Sequence, residues 1–142
     1  MLLLDTNVIS ELRKSANDRV DPAVAAWAAR QDPESTFISA VTLFEIEQGV
    51  LRMERRDGRQ GAALRSWFEA RVLPGFDGRI LPFDTAVARR CATLHVPDPK
   101  PERDAMIAAT ALVHGLTLAT RNVTDFQPMG VKLVDPWTAV ES

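Results

Sequence analysis

The sequence contains a single cysteine, two histidines and no surplus of positive charge, and each shortage closes off a class of chemistry. Cys91 alone cannot form an intrachain disulfide. Its neighbours Val87, Ala88 and Leu94 recur at helical spacing, so it reads as a small core residue rather than a reactive thiol. No apolar run approaches the roughly 20 residues of a membrane-spanning helix. The opening Met1-Leu2-Leu3-Leu4 reaches an acid, Asp5, too soon for a secretory leader. The expectation is a cytoplasmic protein with no membrane partner. A net charge of −2 supplies no global field for nucleic acid, so such a substrate would have to be drawn by local arginines or a bound cation. Gly-x-Ser-x-Gly, a Walker loop and Cys-x-x-Cys are all missing, which leaves acyl transfer, nucleoside triphosphate hydrolysis and zinc fingers without support. His95 and His114 each end a helical pattern, where the helix dipole favours a cation, and neither is read as catalytic.

What is present suits one domain spanning residues 1–142, because 46% hydrophobic content can build a core and 25% charged residues can solvate its surface. Strands are expected at 2–5, 37–38, 79–83, 116–120 and 131–134. Between them, helices are expected at about 7–13, 23–30, 42–56, 60–72, 85–95 and from Asp104 to a C-cap at Gly115. Residues 14–20 read as a loop. Asp21-Pro22 is an N-cap acid followed by proline at the first helical position, Ser39 or Thr42 caps the long third helix, Pro74-Gly75 ends the fourth, and Asp84 caps the fifth. Pro97, Pro99 and Pro101 make a stiff, non-helical connector. Short strands alternating with helices give an α/β fold with a central, mainly parallel sheet of about five short strands flanked by helices.

Three carboxylates stand where core residues would be expected. Asp5 ends the first apolar run, Glu45 interrupts the apolar helix Val41-Thr42-Leu43-Phe44-Glu45-Ile46, and Asp104 opens Asp104-Ala105-Met106-Ile107-Ala108-Ala109. Asp5 and Asp104 would serve equally well as plain helix caps, and Glu45 as a solvated side chain. Together they point elsewhere. Carboxylates about 5 Å apart repel by roughly 3 kcal/mol per pair at an effective dielectric near 20, and a hard divalent ion turns that repulsion into attraction. Asp5 and Thr120, ending strands one and four, also face the sheet edge where ligands bind in open α/β folds. Such an ion, with open positions for water and a phosphate, suits phosphodiester hydrolysis.

Four ordered segments resemble the PIN-domain family and, within it, the VapC toxins of bacterial toxin–antitoxin pairs, particularly the FitB-like branch. They are residues 1–11 around Asp5-Thr6-Asn7, residues 39–49 around Glu45, residues 104–111 from Asp104, and Leu118-Ala119-Thr120-Arg121-Asn122. Gly78-Arg79-Ile80-Leu81-Pro82-Phe83-Asp84 and Val134-Asp135-Pro136-Trp137 also look like that branch. The resemblance implies a PIN-like fold and a Mg²⁺-dependent endoribonuclease, with Mn²⁺ as the alternative ion. It further implies a homodimer and a cognate antitoxin through which DNA is met only indirectly. Asp5 and Asp104 match the family's main metal-binding acids and Glu45 its third acid. Asn122 stands where the family often carries a fourth acid, and Asp125 lies three residues on. The expectation is therefore a one-metal site, with catalytic candidates Asp5, Glu45, Asp104, Asn122 and Asp125 and with Thr6, Asn7 and Thr120 as orienting groups or simple caps.

Two other functions fit parts of the pattern. A haloacid-dehalogenase-like phosphatase also places Asp after its first strand, but it needs an acid two residues on, where this chain has Asn7. An inactive PIN-like module that acts with its antitoxin in transcriptional repression is motivated by Asn122. Arg52, Arg55, Arg56 and Arg59 recur at helical spacing, yet Glu54 and Asp57 interleave them, which favours a solvated face over a phosphate track. No aromatic–basic alternation signals base stacking. Val50, Leu51, Trp67 and Phe68 are either core or a seam for a second copy or an antitoxin.

Overall fold

The computed structural model describes residues 1–138. Five short strands form one sheet: β1 (Leu2–Leu4), β2 (Thr36–Ser39), β3 (Ile80–Leu81), β4 (Thr117–Ala119) and β5 (Leu133–Val134), in the order β3-β2-β1-β4-β5. Every pairing is parallel, with Leu3 beside Phe37 on one side and Leu118 on the other. The chain builds outward from β1 towards β3 and then returns to β1's free side with β4. The reversal of strand order falls between β1 and β4, the place where an open α/β sheet leaves a crevice beyond its carboxyl ends.

Alternation along these strands divides the core in two. Leu3 and Leu118 pack into a cluster with Val87, Cys91, Ile107, Ala108 and Phe126, while Leu4, Ile38 and Ala119 pack into another with Val8, Trp27, Ile46, Val50 and Phe68. Helices α6 (Thr85–Leu94), α7 (Glu102–His114) and α8 (Val123–Phe126) supply the first layer. Helices α1 (Thr6–Leu12), α2 (Pro22–Ala29) and α3 (Ala40–Arg56), with the turn Phe68–Val72, supply the second. Both faces of the sheet are covered, which is why β1 is apolar at every position.

Several local expectations move. Residues 13–17 continue α1 as a 3-10 turn where a loop is expected. The fourth helix begins at Gly58 as α4 (Gly58–Trp67), passes through a π turn at Phe68–Val72, and reaches α5 (Leu73–Gly75). Pro74-Gly75 ends it as expected: the last helical residue is Gly75, and Pro74 lies in the first turn of that short segment, where no backbone donor is needed. A basic face running on to Arg59 does not form, since Asp57 ends α3 and caps α4 instead, accepting from the backbone N–H groups of Arg59 and Gln60. Helix α8 is an addition: four residues are too few to show a periodicity. Helix α7 starts two residues before Asp104, so that acid sits in the first turn rather than at the cap. Gly115 closes α7 with φ +66°, the left-handed conformation glycine adopts without strain.

Candidate active site

At the strand-order reversal, a cleft of about 520 Å³ is lined by Asp5, Thr6, Asn7, Glu45, Asp104 and Asn122, together with Glu11, Arg13, Lys14, Arg121 and Trp137. Four segments distant in sequence supply the acids' side of this cleft: the β1–α1 junction, mid-α3, the first turn of α7 and the turn after β4.

Asp5 is its centre. It is only 5% exposed, and its carboxylate is gripped on both oxygens. Oδ1 accepts from the Thr6 backbone N–H at 2.8 Å, which caps α1. Oδ2 accepts from the Thr120 hydroxyl at 2.8 Å and more weakly from Asn7 Nδ2 at 3.4 Å. Capping and site-building are thus the same geometry. Thr120 Oγ1 in turn accepts from the Asn122 backbone N–H at 3.0 Å, and Asn7 Oδ1 accepts from the Arg121 backbone N–H at 3.3 Å. These bonds tie the β1 and β4 ends into one frame.

Glu45 projects from α3 into the same cleft. The Thr6 hydroxyl donates to its Oε1 at 2.6 Å and lies 3.3 Å from the hydroxyl of fully buried Thr42. Its other oxygen, Oε2, is 3.6 Å from the Arg103 guanidinium, which also lies over the Phe44 ring. Asp104 sits one residue beyond Arg103, in the positive end of the α7 dipole. Asp125 is exposed and not among the cleft-lining residues, but it is near enough to act on Asp104.

The electrostatics match the burial. Burial pushes the Asp5 carboxyl up to about 6, against the opposing Thr120 and Thr6 hydrogen bonds and with further upward pressure from Asp104 and Glu45. Asp104 is also raised, first by burial and then by Asp125 and Glu45. Among the described residues no lysine or arginine forms an ion pair with Asp5 or Asp104. A buried carboxylate repelled by neighbouring acids, without a cation of its own, is a costly arrangement. Among the described residues no group of three or more His, Cys, Asp and Glu side chains is arranged to hold a metal ion outright. Mg²⁺, however, needs only one or two carboxylates when it keeps several waters. The donor set here is made of hard oxygens, so Asp5 with Asp104 fits such an ion.

Sequence reasoning missed the site roles of Thr42 and Arg103: Thr42 lies 3.3 Å from the Thr6 hydroxyl that holds Glu45 Oε1, and the Arg103 guanidinium lies 3.6 Å from Glu45 Oε2. Thr42 carries a signal, since it lies one helical turn before Glu45 and within reach of the capping Ser39, whose Oγ accepts from the Thr42 N–H. Arg103 carries none, because its partner is remote in the chain. Arg121 and Trp137 fall in segments that resemble the family, but their meeting at the cleft joins positions too far apart in the chain for any local signal.

A family model described as the PIN domain matches residues 2–128. The chain is 40% identical over 144 residues to Toxin FitB of Neisseria gonorrhoeae, covering 96% of this chain and 99% of that protein. It is 38% identical over 142 residues to VapC ribonuclease Y4jK of Sinorhizobium fredii, covering 96% and 98%. The crystal structure of FitAcB from Neisseria gonorrhoeae aligns with a TM-score of 0.88 at 36% identity, covering 98% of this chain and 100% of that one. A structure of FitAB bound to an IR36 DNA fragment aligns with a TM-score of 0.89 at 35% identity, covering 99% of each chain.

Proposed function

This chain belongs to the PIN-domain family, and from that premise we propose that it is a divalent-metal-dependent endoribonuclease acting as the toxin of a toxin–antitoxin pair. In this reading residues 1–142 form one PIN-like domain, and Asp5 and Asp104 hold a Mg²⁺ ion, with Mn²⁺ as the alternative. Glu45, Asn122 and Asp125 complete the site. The partners are RNA, a cognate antitoxin, a second copy of the chain and, through the antitoxin, DNA, all met in the cytoplasm. The observation that carries it is Asp5: a carboxylate buried at the strand-order reversal, sharing one cleft with two further acids and, among the described residues, forming no ion pair.

When bound, the ion supplies a water of lowered pKa and neutralises charge on the phosphodiester. The chain's own groups do the positioning. Thr6 N–H and Thr120 Oγ–H fix the Asp5 oxygens, leaving their remaining lone pairs for the cleft. The Thr6 hydroxyl pins Glu45 by Oε1 and the Arg103 guanidinium lies 3.6 Å from its Oε2, so this carboxylate is held in a fixed orientation on the cleft. Asn122 offers an amide oxygen without charge, which favours one ion over two.

The test is cleavage of single-stranded RNA with Mg²⁺, lost with chelator and in Asp5→Asn and Asp104→Asn. Cleavage that persists in both variants sinks the assignment. A second reading, an inactive binding module that represses transcription with its antitoxin, draws on neutral Asn122 and on the lack of a ready three-acid cluster among the described residues. Titration calorimetry separates the two: no uptake of Mg²⁺ or Mn²⁺ would favour the module.

A further inference from the structure

The cleft is lined by basic and aromatic groups as well as by acids, and only the acids are used above. The basic and aromatic lining is Arg13, Lys14, Arg121 and Trp137. Lys14 is committed: its Nζ lies 3.0 Å from Oε1 of Glu11, whose Oε2 accepts from the Asp21 N–H at 2.8 Å. Arg121 is different. Its guanidinium stacks over the Trp137 ring, 5.0 Å from the centroid. It is near enough to Glu11 to help hold that carboxyl down, yet among the described residues it forms no ion pair. Trp137 itself is packed against the second core cluster, and its backbone N–H donates to Asp135 Oδ1 at 2.9 Å.

Stacking uses the face of a guanidinium and leaves its in-plane N–H edge available, the fork geometry that suits a phosphate. The stack also removes much of the side chain's rotational freedom before any ligand arrives. Its distance from the acids is short in bonding terms, because the Arg121 backbone donates to Asn7 Oδ1 and Asn7 Nδ2 donates to Asp5 Oδ2. A strand lying with one phosphodiester at Asp5 and Asp104 would run along this lining.

We propose that Arg121, held by Trp137, is a phosphate-binding subsite that grips the RNA backbone beside the scissile phosphodiester, with Trp137 as its positioning residue. The subsite rests on the ribonuclease reading and adds to it the part of the cleft that fixes the strand. It reads no base, because a guanidinium edge on a phosphate carries no sequence information.

The experiment uses the full-length protein and short single-stranded oligoribonucleotides, with binding followed by fluorescence anisotropy in chelator so that no strand is cut. Arg121→Gln is expected to weaken binding about tenfold near ~0.1 M salt. It should also make the slope of log affinity against log salt shallower by about 0.7, equally for oligonucleotides of different sequence. Arg121→Lys should restore the slope but not the full affinity, since an ammonium does not stack as a plane. Trp137→Phe should keep the slope and lose part of the affinity, with a melting temperature close to the parent's as the folding control. An unchanged slope in Arg121→Gln overturns the subsite, as does a loss confined to particular sequences. Normal RNA binding combined with lost antitoxin binding would give this lining to a protein partner instead. If the parent protein neither binds RNA nor, with Mg²⁺ supplied, cleaves it, the ribonuclease reading fails along with the subsite. If it binds and cleaves RNA and Arg121→Gln matches it, the subsite alone fails.

Discussion

Two regions of this molecule gather carboxylates, and they do so with opposite electrostatics. On the α3–α4 hairpin, Arg65 lies 2.7 Å from Glu47, 3.0 Å from Glu54 and 3.3 Å from Glu69. The guanidinium is driven further up by these acids, Glu54 is held below its ordinary value, and all four groups are open to water. The helices approach so closely that a Cβ on Gly61 would lie 2.6 Å from the Glu54 backbone nitrogen. In the cleft, Asp5, Glu45 and Asp104 face one another with Arg103 touching only Glu45, and Asp5 and Asp104 are pushed up rather than down. Acids that bring their own cation fasten a fold. Acids buried without one are waiting for a charge from outside the chain.

The sharpest way to break that contrast is to neutralise one charged group in each region. Asp5→Asn should lower RNA cleavage on the order of 10²-fold or more, as loss of a metal ligand does, measured on the single-stranded substrate with Mg²⁺. Next, Thr120→Val removes the hydroxyl that orients Asp5 Oδ2 and should cost about 10–100-fold in metal affinity or rate, read by calorimetry and by cleavage at saturating Mg²⁺.

Stability should move the other way. Asp5 titrates near 6 in the folded protein against an ordinary 3.8, so between those values the folded state keeps a proton that the unfolded chain has released. Stability of the metal-free protein therefore falls as pH rises through that window, and the penalty is complete above it, at about 3 kcal/mol. Denaturation in chelator at pH 7.5 should accordingly show Asp5→Asn to be as stable as the parent or more so, by up to about that amount. Adding Mg²⁺ should raise the parent's melting temperature and not the variant's. The smallest effect belongs to the hairpin. Arg65→Gln should lower the melting temperature by a few degrees and leave cleavage within about twofold, because exposed ion pairs contribute little and lie outside the cleft.

The α/β class, the five strands and most helix boundaries were legible because periodicity and capping are local: Asp21 before Pro22, Ser39 before α3 and Asp84 before α6 all cap as their residue types require. The misses were local too: residues 13–17 read as a loop but continue α1 as a 3-10 turn, and α8 is too short to show a period. In the cleft, Asp5, Glu45 and Asp104 stood out because acids in apolar segments conflict with their surroundings. Arg103 conflicts with nothing nearby in sequence, so no local signal marks it, and Arg121 and Trp137 stood out only through the segments that resemble the family.

By itself the sequence determined that acids would be carried into the interior, and on which strands and helices, since hydrophobic patterning fixes which face of each element is buried. Only the tertiary structure decided which acids meet and what faces them. Parallel pairing of β1 with β4 sets Asp5 beside Thr120 and Arg121, and the packing of α3 and α7 against that edge brings in Glu45 and Asp104. Charges interact through space, so whether a carboxylate is capped, paired or left for a metal depends on neighbours that the chain supplies from far away.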